Sequence, residues 1–189
     1  GGVAALRFLA DHASTYRFLA TKLVRHFVDD TPPPEGIARV EGVLRATKGN
    51  LGAAAESLVG YEPAWQPGRK LRTPQEFVIA TARALSVQQD QPINLMAIIN
   101  QVGQQVWTAP GPNGWSDRAA DWSTPEAMLR RVDWAHTFSV RVGTHDPLEI
   151  ATATLGPLLR PTTYDAMAGA GSRHNAMTLL LTSPEFQRR

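Results

Sequence analysis

Thr73-Pro74-Gln75-Glu76-Phe77-Val78-Ile79-Ala80-Thr81-Ala82-Arg83-Ala84-Leu85 sets the architecture of this chain. Its first four residues spell a helix start. The Thr oxygen can accept from the first free amides, Pro at the first helical position lacks only a donor that would be orphaned anyway, and the acid favours the positive helix end. Phe77, Ala80, Ala84 and Leu85 then recur at intervals of a helical turn rather than in alternation. The same punctuation returns at Thr124-Pro125-Glu126, Asp146-Pro147-Leu148-Glu149 and Ser183-Pro184-Glu185. No comparable set of strand signals exists, so the chain reads as all-α, an irregular multi-helix bundle of about ten short helices.

The expected spans run from about Val3 to His12, Ser14 to Val28, Pro34 to Thr47, Leu51 to Val59, Thr73 to Val87, Ile93 to Val106, Thr124 to Val142, Pro147 to Leu155, Pro161 to Ala168 and Ser172 to Leu181. Asp30-Thr31-Pro32-Pro33-Pro34 and Gly60 to Gly68 break the early helices. Both are short enough to be ordered turns, which leaves 1–189 as a single helical domain. Leu58 to Trp65 echoes Leu180 to Phe186: an apolar helix end, then Glu, Pro and an aromatic expected to fold back, which makes Trp65 and Phe186 candidate buried anchors.

A compact chain of this size buries roughly 70% of its unfolded surface. Hydrophobic residues make up 43% and charged residues 19%, so this is no disordered tail. No apolar run approaches the length of roughly 20 residues that a membrane helix requires. Of the 19 basic residues only Lys22, Lys48 and Lys70 are lysine. The arginines are scattered among 17 acids, so no nucleic-acid partner is expected. Zero cysteines exclude disulfides, thiolate metal sites and cysteine nucleophiles.

Tyr16-Arg17-Phe18-Leu19-Ala20-Thr21-Lys22-Leu23, read with the terminal Leu179-Leu180-Leu181-Thr182-Ser183-Pro184-Glu185-Phe186-Gln187-Arg188-Arg189, resembles the bacterial domain-of-unknown-function 1800 family (DUF1800). The resemblance implies that the chain is the C-terminal portion of a larger bacterial protein. It also implies a setting that is exported or periplasmic, although no signal peptide stands at the start of this sequence. It brings a Pro-rich Gly-Trp segment at Gly114 and Trp115 and a Lys at Lys22, with no role attached to any of them.

Trp107 to Ser123 is the first functional candidate. Loops above roughly 12 to 15 residues without secondary structure are uncommon and often functional. Trp107, Trp115 and Trp122, with Gly114, could present a stacking surface to a protein or glycan partner. The ordinary alternative is that the three indoles plug gaps between helices. Lys22 and His26, four apart on the second helix, are the candidates for chemistry: an anion-binding Lys beside a His acid or base, lying along a stripe of Leu19, Leu23 and Phe27. The alternative there is a snorkelling Lys and a His at a helix end. Asp133 and His136 are one turn apart, but the Glu-x-x-His element of a bundle metal site is absent, so no metal is expected. Nucleotide loops and serine elbows are missing too, so no cofactor is expected. Two readings stand: an accessory or binding helical module presenting the Trp-rich loop, or part of an exported enzyme completed by an N-terminal portion outside this sequence.

Overall fold

A computed structural model describes residues 1–68, 70–86, 93–142 and 145–189. Among them it holds eleven α-helices, two short 3-10 turns and no strand beyond an isolated bridge between Leu71 and Arg188. The protein is all-α. The helices are α1 (Gly2–Asp11), α2 (Ala13–Phe27), α3 (Pro34–Ala46), α4 (Leu51–Val59), α5 (Pro74–Ala84), α6 (Leu95–Gln101), α7 (Ala119–Trp122), α8 (Pro125–Arg141), α9 (Pro147–Leu155), α10 (Pro161–Ala168) and α11 (Arg173–Thr182). Val87, the expected end of the fifth helix, lies outside the described residues.

The start signals act as capping chemistry predicts. Thr73 and Glu76 form a complete capping box, with the Thr oxygen accepting from the Glu76 amide and the Glu carboxylate accepting from the Thr73 amide. Thr124 accepts from the Ala127 amide, and Asp146 accepts from Leu148 and Glu149. Ser183-Pro184-Glu185 makes only one turn. The Ser183 hydroxyl accepts from the Phe186 amide, the Gln187 amide donates to the Ser183 carbonyl, and the chain then straightens. α6 stops well before the expected Val106 because Gly103, at φ 100°, closes a Schellman motif: its amide bonds the Asn100 carbonyl while Gln104 bonds Ile99.

Two compact units each have their own core, Gly1–Lys70 and Leu71–Arg189. In the first, Tyr16, Ala20 and Val24 of α2 meet Val40 and Leu44 of α3 and Ala54 and Leu58 of α4. The buried ridge is therefore rotated from the expected Leu19-Leu23-Phe27 stripe, and Phe27 is half exposed. Small residues explain this. Ala20 and Gly36 let the helices approach closely, and a methyl group on Gly36 would lie 3.1 Å from the Tyr61 ring and 3.2 Å from Val24. Tyr61 takes the buried anchoring place expected of Trp65, which is exposed and tethered by its indole N–H to the Val59 carbonyl at 2.7 Å.

In the second unit, α8 packs on α11, and the core gathers Phe77, Trp134, Phe138, Met177, Leu180, Leu181 and Phe186. Trp134 stacks on Phe138 with centroids 4.8 Å apart, and Phe77 meets Trp134 edge-on at 5.4 Å. Aromatic quadrupoles favour both arrangements. Phe186 is buried, as its place after an apolar helix end predicted. A fully buried cation binds this end of the unit together. Arg131 donates to Gln187 Oε1 at 2.7 Å and to the Arg72 carbonyl at 2.8 Å, with its guanidinium 5.5 Å from the centre of the Phe77 ring. Burial pushes the Arg131 guanidinium down to about 10, against the opposing pull of Glu76, so it remains a cation at neutral pH.

Candidate functional site

The segment after α6 is tied down before it reaches its first tryptophan. Gln104, itself buried, turns its Oε1 to the Gln75 amide at 2.9 Å, satisfying one of the orphan donors in the first turn of α5. Asn100 Oδ1 accepts from the Val106 amide at 3.3 Å. A turn from Gln105 to Thr108 then sets Trp107 at its third position with φ 67°. Type II turns reserve positive φ at that position for Gly or Asn, and a bulky aromatic there is a genuine outlier.

The three tryptophans have three different surroundings. Trp107 is 96% exposed. Trp115 is half-buried, its indole N–H donating to the Gln105 carbonyl at 3.1 Å and its ring 5.7 Å from that of Trp122. Trp122 is buried and donates to the Ser116 carbonyl at 2.8 Å, while the Ser116 hydroxyl bonds Asp121. The plug reading thus describes Trp122, in the short α7 that the sequence did not announce, and not Trp107. Gly114 is exposed at φ 83°, the last residue of a turn whose amide reaches back to the Gly111 carbonyl. Its role in the geometry is to let the backbone turn. A recess of about 200 Å³ lies between Trp107 and Trp115, walled by Gln75, Gln104, Gln105 and Val106. Its surface is mostly apolar, with no ionised group, and the Gln104 and Gln105 oxygens are engaged in internal hydrogen bonds.

Lys22 is half-buried and His26 is exposed on α2, the His ring meeting Phe27 edge-on at 4.6 Å. Both stand in the first unit. The nearby hollow of that unit, about 270 Å³, is apolar and lined by Leu23, Phe27, Leu58, Val59 and Trp65 rather than by the Lys22 and His26 pair. Sequence spacing set Asp133 beside His136, whereas in the fold His136 of α8 meets His174 of α11, their Nε2 atoms 3.3 Å apart. Among the described residues no group of three or more His, Cys, Asp or Glu is placed to hold a metal.

One feature that the linear sequence conceals is an arginine-lined cleft of about 460 Å³ between α5, α9 and the terminal turn. Arg72, Arg83 and Arg189 reach it from positions far apart in the chain, with Glu76 the carboxylate among them. Only Glu76 and Arg83 could have been paired from spacing, since two turns bring a helix back to the same face.

Helices wound into irregular packed units, with no described helix long and apolar enough to cross a membrane, define the class. Residues 1–188 match the family model "Protein of unknown function (DUF1800)", and the chain belongs to that family. No curated protein and no solved structure matches it.

Proposed function

We propose that this chain is a binding module that takes the face of a sugar ring on Trp107, with Trp115 and the glutamine amides forming the rest of the recess. The observation that carries this reading is Trp107 itself: 96% exposed and held on a left-handed backbone. Such a backbone costs a non-glycine residue ~1 to 2 kcal/mol, and an indole in water recovers none of it through packing. Strain that folding does not explain is concentrated at ligand clamps and active sites. The uncharged, mostly apolar wall suits a neutral ring better than an ion, and the apolar face of a pyranose matches an indole. A folded protein partner could use the same indole as an anchor. The recess, however, is smaller than the roughly 300 Å³ at which drug-sized pockets begin, which suits one ring.

Export, implied by the family resemblance, belongs to this proposal too, and fractionation of cells expressing the full-length protein tests it. The test of binding is titration of the chain with soluble oligosaccharides, followed by tryptophan fluorescence. Saturable binding that Trp107→Ala weakens by ~2 kcal/mol or more, an aromatic hot-spot amount, supports the reading. Binding that survives Trp107→Ala, or a protein ligand that competes for Trp107 where no sugar binds, overturns the glycan assignment.

A further inference from the structure

The recess beside Trp107 contains a donor that folding leaves unused. Gln104 is only 9% exposed, and its Oε1 is fixed by the Gln75 amide at 2.9 Å. A backbone N–H can only donate, so the oxygen takes that corner of the carboxamide and the nitrogen takes the other. Among the described residues nothing accepts from this nitrogen, Nε2, and yet it keeps access to solvent. Gln104 lines the recess, so the open side of its amide faces the space between the two indoles.

The neighbouring oxygens are already occupied. Gln105 Oε1 accepts from the Thr108 hydroxyl at 3.1 Å, and the Gln105 carbonyl accepts from the Trp115 indole at 3.1 Å. They hold the turn together. The wall therefore offers an anchored N–H donor set in mostly apolar surface from Val106 and two indoles. A nearly buried donor without a protein partner is uncommon in a folded chain, and a ligand that displaces the water serving it must bring an acceptor of its own.

A hydroxyl suits this place poorly, because its own proton would face the occupied oxygens and the apolar wall. A carbonyl oxygen only accepts. If that carbonyl carries a methyl group, the apolar surface is filled as well, and on a sugar the two come together in an acetamido group.

We infer that the recess selects an N-acetylated amino sugar, its ring lying on Trp107, its acetyl oxygen accepting from Gln104 Nε2 and its methyl group against Val106 and Trp115. The inference rests on the sugar-binding reading above and narrows it to one substrate class. Gln104 is the specificity-determining residue.

Titration followed by tryptophan fluorescence, with the β-1,4-linked trisaccharides of N-acetylglucosamine, glucosamine and glucose, tests this. The acetylated trimer should bind about tenfold or more tighter than the glucose trimer, the effect of one hydrogen bond and one buried methyl group. The glucosamine trimer, which keeps the nitrogen and lacks the acetyl group, should show no such advantage. Gln104→Glu keeps an oxygen for the Gln75 amide but removes the donor, and should bring the acetylated trimer to within about twofold of the glucose trimer. If that variant does not fold, the ranking of the three sugars on the unaltered chain decides. Equal and Trp107-dependent affinities for the acetylated and glucose trimers would overturn this inference and leave the sugar-binding reading standing. So would a glucosamine trimer that binds as tightly as the acetylated one, or a preference that survives in folded Gln104→Glu. No saturable binding of any of the three would overturn both readings together.

Discussion

Two turns of the second unit each carry an aromatic a few residues past a helix end, and they have opposite fates. The turn from Ser183 to Gln187 buries Phe186, and its backbone is bonded at nearly every point: Ser183 to Phe186 and Gln187, Gln187 to Arg72, and the Phe186 carbonyl to the Arg72 guanidinium. The turn from Gln105 to Thr108 is also fastened, through Asn100, Gln104 and Trp115, yet it holds Trp107 out in water on a left-handed backbone. In the first turn every unusual feature is repaid in folding free energy. In the second the fastened backbone carries an indole that gains nothing from packing. The contrast separates a turn that buries its aromatic from a turn that leaves its aromatic in solvent within one packed unit.

The largest expected effects lie on the buried side of that contrast. Phe186→Ala should cost ~3 to 5 kcal/mol in denaturant melts, the usual amount for a core aromatic. Arg131→Ala should cost a similar ~3 to 5 kcal/mol, since it opens a cavity and strands two buried acceptors, Gln187 Oε1 and the Arg72 carbonyl. A loss below about 1 kcal/mol in either variant would mean that the terminal turn is not the clamp its bonding suggests.

A smaller, pH-dependent effect comes from Glu185 in the same turn. Burial pushes its carboxyl up, but the Thr163 hydroxyl, its own and the Arg160 backbone amides, and the Arg160 guanidinium outweigh burial and hold it below the usual carboxylate range. Its folded value lies beneath its unfolded one, so its contribution is fully present above about pH 4.3 and is lost as pH falls through the lower folded value. Glu185→Gln should cost ~1 kcal/mol at neutral pH, comparable to losing a helix cap, and should flatten the acid limb of stability against pH. An acid limb that keeps its slope in the variant would assign that pH dependence to other carboxylates.

The smallest effects belong to the exposed turn, and they sharpen the comparison most. Trp107→Ala should change stability by no more than ~0.5 kcal/mol, as at any surface position. Trp107→Gly should be neutral or stabilising by up to ~1 kcal/mol, because Gly adopts positive φ without the steric cost, offset by its greater freedom in the unfolded chain. If Trp107→Gly unfolds the protein, the indole has a packing role and the recognition reading fails.

Much of the fold was legible because its signals are local. Start signals act within four or five residues of the helix they open, and α4, α9 and α10 have the bounds expected from the sequence. The rotation of α2 was not legible. Leu19, Leu23 and Phe27 are larger than Ala20 and Val24, yet close approach across Gly36 selects the ridge of Tyr16, Ala20 and Val24. Nor could the echo between Leu58 to Trp65 and Leu180 to Phe186 say which aromatic each copy would bury: it is Tyr61 in one and Phe186 in the other.

Helical class, the places where most helices begin and end, and family membership could all be read from the chain, because caps, period and motif are written in neighbouring residues. Packing alone decided that Trp107 stands in solvent while Trp122 is buried, that Arg131 lies in the core, and that Arg72, Arg83 and Arg189 share one cleft. Those outcomes depend on which surfaces meet after the helices form, and residues distant in sequence carry no mark in the chain of the neighbour they will have.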